Sequence, residues 1–189
     1  MSDVQSALGG ARANGLVTLR EAELTGMITV RGALDDIGRA VRDVTGVSMP
    51  GTRALSSAAG VSLAWMSPDE LLVICGYGGV DQKVAALETA LDGVHSLVVD
   101  VSDARAVFVL EGGAVRDVLA KLCPVDFDPA ALPENSVRRT RLGQVPAALW
   151  FSDAETATVI CFRSVADYVF GVLKGASTEG SPPMVFAKT

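Results

Sequence analysis

WMSPDELLVIC at residues 65–75 and WFSDAETATVIC at residues 150–161 are two versions of one phrase. Each sets an aromatic-led apolar run, a short polar break and a second apolar run ending on cysteine in the same order, which reads as an antiparallel hairpin. The residues in front are doubled as well: ITVRGALDDIGRAVRDVTGV from Ile28 and VFVLEGGAVRDVLAKLCPV from Val107 both run from strand through glycine into helix. A solenoid needs at least ~3 units to bury a continuous core, so two copies predict one compact domain instead. The expected fold class is α+β: a pseudo-two-fold domain over residues 1–189, built of two strand-helix-hairpin-helix repeats at about 17–95 and 96–176. The ends, 1–15 and 177–189, are expected to be loosely ordered.

Within each repeat the apolar spacing sets the elements. Met27–Val30 reads as a strand, and Leu34, Ile37, Val41 and Val44 fall on one face of a following helix that Gly46 ends. Asp35 and Asp36 favour the amino end of that helix. The stretch from Val47 to Gly60, with Pro50 and Gly51, reads as loop. After the hairpin Ser62–Trp65/Leu71–Cys75, GYGG turns the chain into a helix with Val84, Leu87 and Leu91 on one side. In the second copy Leu97–Val101 and Ala106–Leu110 flank SDAR as a strand pair, and Val115, Val118, Leu119 and Leu122 make the next helical face. CPVDFDPAALPENS, with prolines at 124, 129 and 133, reads as a loop crossing from one half to the other. Val145–Phe151 and Thr156–Phe162 form the last hairpin, and Val165, Val169 and Val172 point inward from the final helix.

Composition narrows the partners. Hydrophobic residues make up 49% of the 189 and charged residues 20%, enough to bury a core without disulfides or metal. A net charge of −6 is the wrong sign for binding nucleic acid or an anionic membrane, so neither is expected as a partner. The first 26 residues hold no long apolar run, so no signal peptide or membrane anchor is expected and the reading is cytoplasmic. Cys75, Cys123 and Cys161 form no CxxC pair and read as buried small hydrophobes.

A search for chemistry returns little. The single histidine, His95, has no HxH, HExxH or cysteine partner nearby, and no GxGxxG or GxxxxGK[ST] follows a strand. Asp35–Asp36 and Asp69–Glu70 sit at a helix start and a turn, where carboxylates serve local hydrogen bonding, so no catalytic residue and no metal ligand is expected. Arg138, Arg139 and Arg141 are the dense basic patch. Alternation places Arg139 and Arg141 on one strand face, where they either bind an anion, pair with a partner's carboxylates or stay solvated.

WMSPDELLVI, VVDVSDARAVFVLEG, VRDVLAKLCPVDFDP, TRLG and RSVADYVFGVL, in that order between about Leu63 and Leu173, resemble the gamma subunit of heterotetrameric sarcosine oxidase. More distantly, LLVICGYGGVDQKVAAL and VFVLEGGAVRDVL resemble the folate-binding domain of the glycine-cleavage T-protein, an aminomethyltransferase. Cys75 stands where that family has a folate-contacting Asn, and Gly113 replaces the Pro of its Gly-Pro turn. Asp81 matches its folate Asp only with a one-residue shift, and Glu155 its Gly-Glu glutamate only with Ala157 in place of a glycine. A thiol cannot reproduce an amide's donor and acceptor pair, so Asp81 and Glu155, with Arg139 and Arg141, are candidates for a degenerate folate site. The closer resemblance implies a subunit of an oxidoreductase that itself lacks an active site and packs against alpha, beta and delta subunits. Those would carry FAD, FMN, NAD, zinc and tetrahydrofolate, this chain none, and the complex would demethylate sarcosine to glycine. The alternatives from the same resemblance are a stand-alone folate-binding, aminomethyltransferase-like protein and an accessory protein of iron–sulfur or methyl-group metabolism.

Overall fold

The computed structural model describes residues 4–180 and Phe186. Contacts divide the chain into a continuous unit, residues 24–103, and a split unit made of residues 1–23 and 104–189.

The continuous unit holds strands β3 (Thr25–Arg31), β4 (Leu55–Ala58), β5 (Val61–Ser67), β6 (Glu70–Gly76) and β7 (Leu97–Asp100), with helices α1 (Leu34–Thr45) and α2 (Val80–Ala90). They form one antiparallel sheet in the order β4-β5-β6-β3-β7. Ile28, Val30, Leu63, Leu71 and Val73 from the strands meet Ile37, Val41, Val80 and Leu87 from the helices in a single core. Gly46 closes α1 at φ 70 and donates its N–H to Arg42 O, the left-handed cap that glycine accepts without strain.

The split unit repeats this plan. Strands β8 (Arg105–Glu111), β9 (Arg138–Leu142), β10 (Val145–Asp153) and β11 (Thr156–Phe162) and helices α3 (Val115–Ala120) and α4 (Ala166–Ala176) correspond to β3, β4, β5, β6, α1 and α2. The glycines that open the strand-to-helix turn match too: Gly32 at φ 154 and Gly112 at φ 138 both take a conformation side chains resist. A Cβ on Gly32 would also fall 2.7 Å from Ile37 Cγ2.

The last strand of each sheet arrives by a different route. The expected hairpin across SDAR does not form. β7 pairs with β3 in the continuous unit, whereas β8 lies in the other sheet, so the repeat boundary moves from 95/96 to 103/104. The lane that β7 fills beside β3 is taken beside β8 by β2 (Thr18–Glu21), with β1 (Arg12–Asn14) outside it. Residues 17–23 therefore belong to the second copy's sheet and not to the first. The match reaches single bonds: Val101 N–H donates to Met27 O, and Ala22 N–H to Val107 O, each at 2.8 Å. Leu16 N–H donates to Ser177 O at 2.7 Å, so the chain ends are open where the continuous unit joins α2 to β7.

The expectation of a loose amino end fails for residues 4–15. Glu21, 5% exposed, accepts Ser6 Oγ–H at 2.8 Å, Leu8 N–H at 2.9 Å and Gly10 N–H at 2.8 Å. Arg163 Nη2 holds Gln5 O and Ser6 O. At the other end Ser177 is 1% exposed, and Phe186 N–H reaches Asp117 Oδ1 at 3.1 Å. Residues 1–3, 181–185 and 187–189 of those expected loose ends lie outside the described residues.

Four smaller readings also change. Val47–Gly60 is not all loop, since β4 forms within it. The proline-rich segment 123–136 does not cross between halves. It joins α3 to β9 inside the split unit and sends Phe127 and Leu132, both 0% exposed, into that core. α3 stops at Ala120, short of Leu122, because Pro124 can neither donate an N–H nor tolerate a helical residue before it. Finally, aligning the two phrases on their tryptophans is one residue out of register. Trp65 lies opposite Leu71 and Ser67 opposite Glu70, while Phe151 lies opposite Ala157 and Asp153 opposite Thr156. Phe151 is the structural counterpart of Trp65, and Trp150 points to the other face of its sheet.

Candidate functional site

The split unit contains a cleft of about 700 Å3 lined by Gly113, Arg116, Glu134, Asn135, Glu155 and Phe186, with Pro129, Pro133 and Ala154 completing the wall. Three parts of the chain build it. The Gly112–Gly113 turn and the first turn of α3 supply Arg116; the segment joining α3 to β9 supplies the prolines, Glu134 and Asn135; the two-residue turn between β10 and β11 supplies Ala154 and Glu155.

Arg116 forms the floor and is 6% exposed. Its Nη1 donates to Phe127 O at 2.8 Å and to Leu132 O at 3.1 Å, and its Cζ lies 4.0 Å over the Phe151 ring. Burial holds its pKa below the ordinary value, against the opposing pull of the Asp128 and Glu134 charges. Glu134 and Glu155 are exposed at the rim, and Glu155 Oε1 stands 3.7 Å from where a Cβ on Gly113 would lie. No salt bridge to Arg116, Glu134 or Glu155 occurs among the described residues. Asn135, at φ 58, occupies a left-handed position that Asn tolerates better than most side chains.

Of the four candidate site residues Asp81, Glu155, Arg139 and Arg141, the cleft takes in Glu155 alone, with Gly113 beside it. Asp81 is exposed in the first turn of α2, in the continuous unit. Arg139 and Arg141 alternate with Arg138 and Thr140 along the edge strand β9, exposed on one face as expected; Arg141 Nη2 donates to Gln144 O at 3.2 Å. His95 is exposed between α2 and β7. Asp69 is held below the usual carboxylate range by Ser67 Oγ–H and then by Arg31, 2.7 Å away on the surface. Arg116 was missed because VRDVL reads as the polar side of a helix, whereas Arg116 and Asp117 are both buried.

All three thiols are buried and unpaired. Burial pushes Cys123 up to about 12 and Cys161 up to about 11, and raises Cys75 with help from Asp100. The native chain is therefore expected to give no reaction with an aromatic disulfide reagent at mild alkaline pH, and to expose three thiols on unfolding; one fast thiol in the native state would contradict this. The linkage runs one way. Below the ordinary value of 9.0 the thiols are protonated folded and unfolded; above it the unfolded chain loses protons that the native chain keeps. Stability then falls with rising pH by at most about 1.4 kcal/mol per pH unit per thiol, up to the folded values.

A family model described as the sarcosine oxidase, gamma subunit family matches residues 31–179. The chain is 30% identical to the sarcosine oxidase subunit gamma of an Arthrobacter species over 174 residues, covering 90% of this chain and 85% of that one. It is 30% identical to the subunit of the same name from Corynebacterium sp. strain U-96, covering 87% and 81%. Among solved structures, a chain of the heterotetrameric sarcosine oxidase from Corynebacterium sp. U-96, in complex with pyrrole 2-carboxylate, superposes with a TM-score of 0.80 at 28% identity, covering 87% of this chain and 86% of that one. The glycine cleavage system aminomethyltransferase T from Bartonella henselae shares the fold, with a TM-score of 0.60 at 15% identity, covering 82% of this chain and 44% of that one.

Proposed function

Because the chain belongs to the sarcosine oxidase gamma subunit family, we propose that it serves as the non-catalytic gamma subunit of a heterotetrameric sarcosine oxidase. It packs there against the flavin-bearing subunits while they oxidatively demethylate sarcosine to glycine. The alpha, beta and delta subunits hold FAD, FMN, NAD, zinc and tetrahydrofolate, and this chain contributes surface. The observation that carries this reading is the fit of 87% of the chain to a subunit of such a complex. Exposed apolar side chains support it: Leu97 and Val99 along the edge strand β7, and Phe162 beneath the Arg105 guanidinium at 4.2 Å, offer the kind of area that association buries. We place that assembly in the cytoplasm; no described helix is long and apolar enough to cross a membrane.

Co-expression of the companion subunits with and without this chain tests the reading. Without it, the yield of assembled flavin-containing complex and its sarcosine oxidation should fall about tenfold or more, as expected when a large apolar interface is left uncovered. Equal assembly and equal turnover without the chain would refute it.

A further inference from the structure

We propose that the cleft of the split unit binds a small zwitterionic amino acid, its carboxylate on Arg116 and its ammonium group towards Glu134 and Glu155. Arg116 keeps hydrogen-bond donors that no other described residue fills. A guanidinium carries five N–H donors, and a buried one is stable only when paired or fully hydrogen-bonded. Nη1 of Arg116 is satisfied by two carbonyls, which explains how this residue pins segment 123–136 to α3. Nε and Nη2 make no hydrogen bond among the described residues, although the side chain lines the cleft and is 6% exposed. That leaves the fork edge of the guanidinium, the geometry that takes both oxygens of a carboxylate.

The rim decides which carboxylate fits. Glu134 and Glu155 line the same cleft, and neither carboxylate has an ion-pair partner among the described residues. A simple anion would reach Arg116 past two like charges, and a simple cation would meet the buried guanidinium. A molecule with a carboxylate at one end and an ammonium at the other satisfies the floor and the rim together. Gly113 keeps the space beneath Glu155 free of a side chain, and Pro129, Pro133 and Phe186 supply the apolar part of the wall. The volume, about 700 Å3, falls in the range of small-molecule sites and leaves room for a side chain or an N-substituent.

The test is a titration of the full chain, isotopically labelled on arginine nitrogen, with glycine and sarcosine as zwitterions and with acetate and methylammonium as single-charge controls. The expected result is a saturable shift of the Arg116 Nε–H signal by the zwitterions, with about tenfold weaker binding of either control. Arg116→Lys should weaken the zwitterions about tenfold or more, because an ammonium cannot offer the fork. Should that variant fold poorly, Glu155→Gln serves instead: the residue is exposed, and its change should weaken the zwitterions while strengthening acetate. The proposal is overturned if no saturable shift occurs at roughly 50 mM ligand, a concentration that reveals even very weak sites. It is equally overturned if acetate binds as well as glycine, or if both variants bind like the unaltered chain. The readout is binding to the chain alone, so its failure would leave the subunit assignment untouched.

Discussion

A chain that begins at Leu24 is expected to lose the sheet of the split unit. β2 is an interior strand: Leu19 pairs with Leu110 and Glu21 with Phe108 on one side, and β1 covers the other. Its removal strips β8 of a neighbour and takes Leu19 and Val17, 0% and 2% exposed, out of the core. Burying such side chains contributes about 1.5–3 kcal/mol each. The lost ladder and the carboxylate cage at Glu21 add to that, against a total of about 5–15 kcal/mol for an ordinary domain. Hydrogen exchange provides the measurement: amides of β8 and β11 should lose protection by several orders of magnitude. A second chain sharpens the test. Because Leu16 bonds to Ser177, a circular permutant in which residues 15–23 follow the end of α4 should regain protection, reproducing the connection that leads from α2 to β7. Full protection in the shortened chain would show that β2 does not hold this sheet together.

The second large effect is local to the same core. Phe108→Ala should destabilise the protein by about 4 kcal/mol in denaturant unfolding, the upper part of the range for emptying a phenylalanine site. Phe108 is 0% exposed, lies on a strand paired on both sides, and packs against Phe170 of α4 with ring centroids 6.0 Å apart. Backbone pairing on both edges restricts collapse into the void, so the cavity cost adds to the transfer cost. Ile28 holds the corresponding place in the continuous unit, also 0% exposed and also between two paired strands. A loss below about 1 kcal/mol for Phe108→Ala would mean that the site refills and that the core is softer than its packing implies.

How much of this could be read beforehand differs by element. Both hairpins, α1 and α2 with their apolar faces, and the inward side of α4 were legible, since each rests on residues within one or two turns of one another. The strand pair across SDAR was misread because two apolar runs around a turn signal look like a hairpin whether or not they pair. Nothing within residues 97–110 shows that each run has a better neighbour elsewhere. The site was less legible still. Glu155 was named for a resemblance and does line the cleft, but the arginine lining the same cleft was not named at all, since no spacing rule marks a charged residue as buried.

The sequence by itself determined the doubled strand-helix-hairpin plan, the turns at Gly32 and Gly112, and the helix stop before Pro124, because side-chain period, glycine freedom and the missing proline N–H act between near neighbours in the chain. Tertiary structure alone decided that residues 18–21 complete a sheet whose nearest strand begins near residue 105, with Arg20 opposite Val109 and its side chain bonded to Glu111, 91 positions away. It alone buried Arg116 with its Nε and Nη2 donors left beside a cleft. Those outcomes depend on which distant surfaces exclude water from one another, and no local period records that competition.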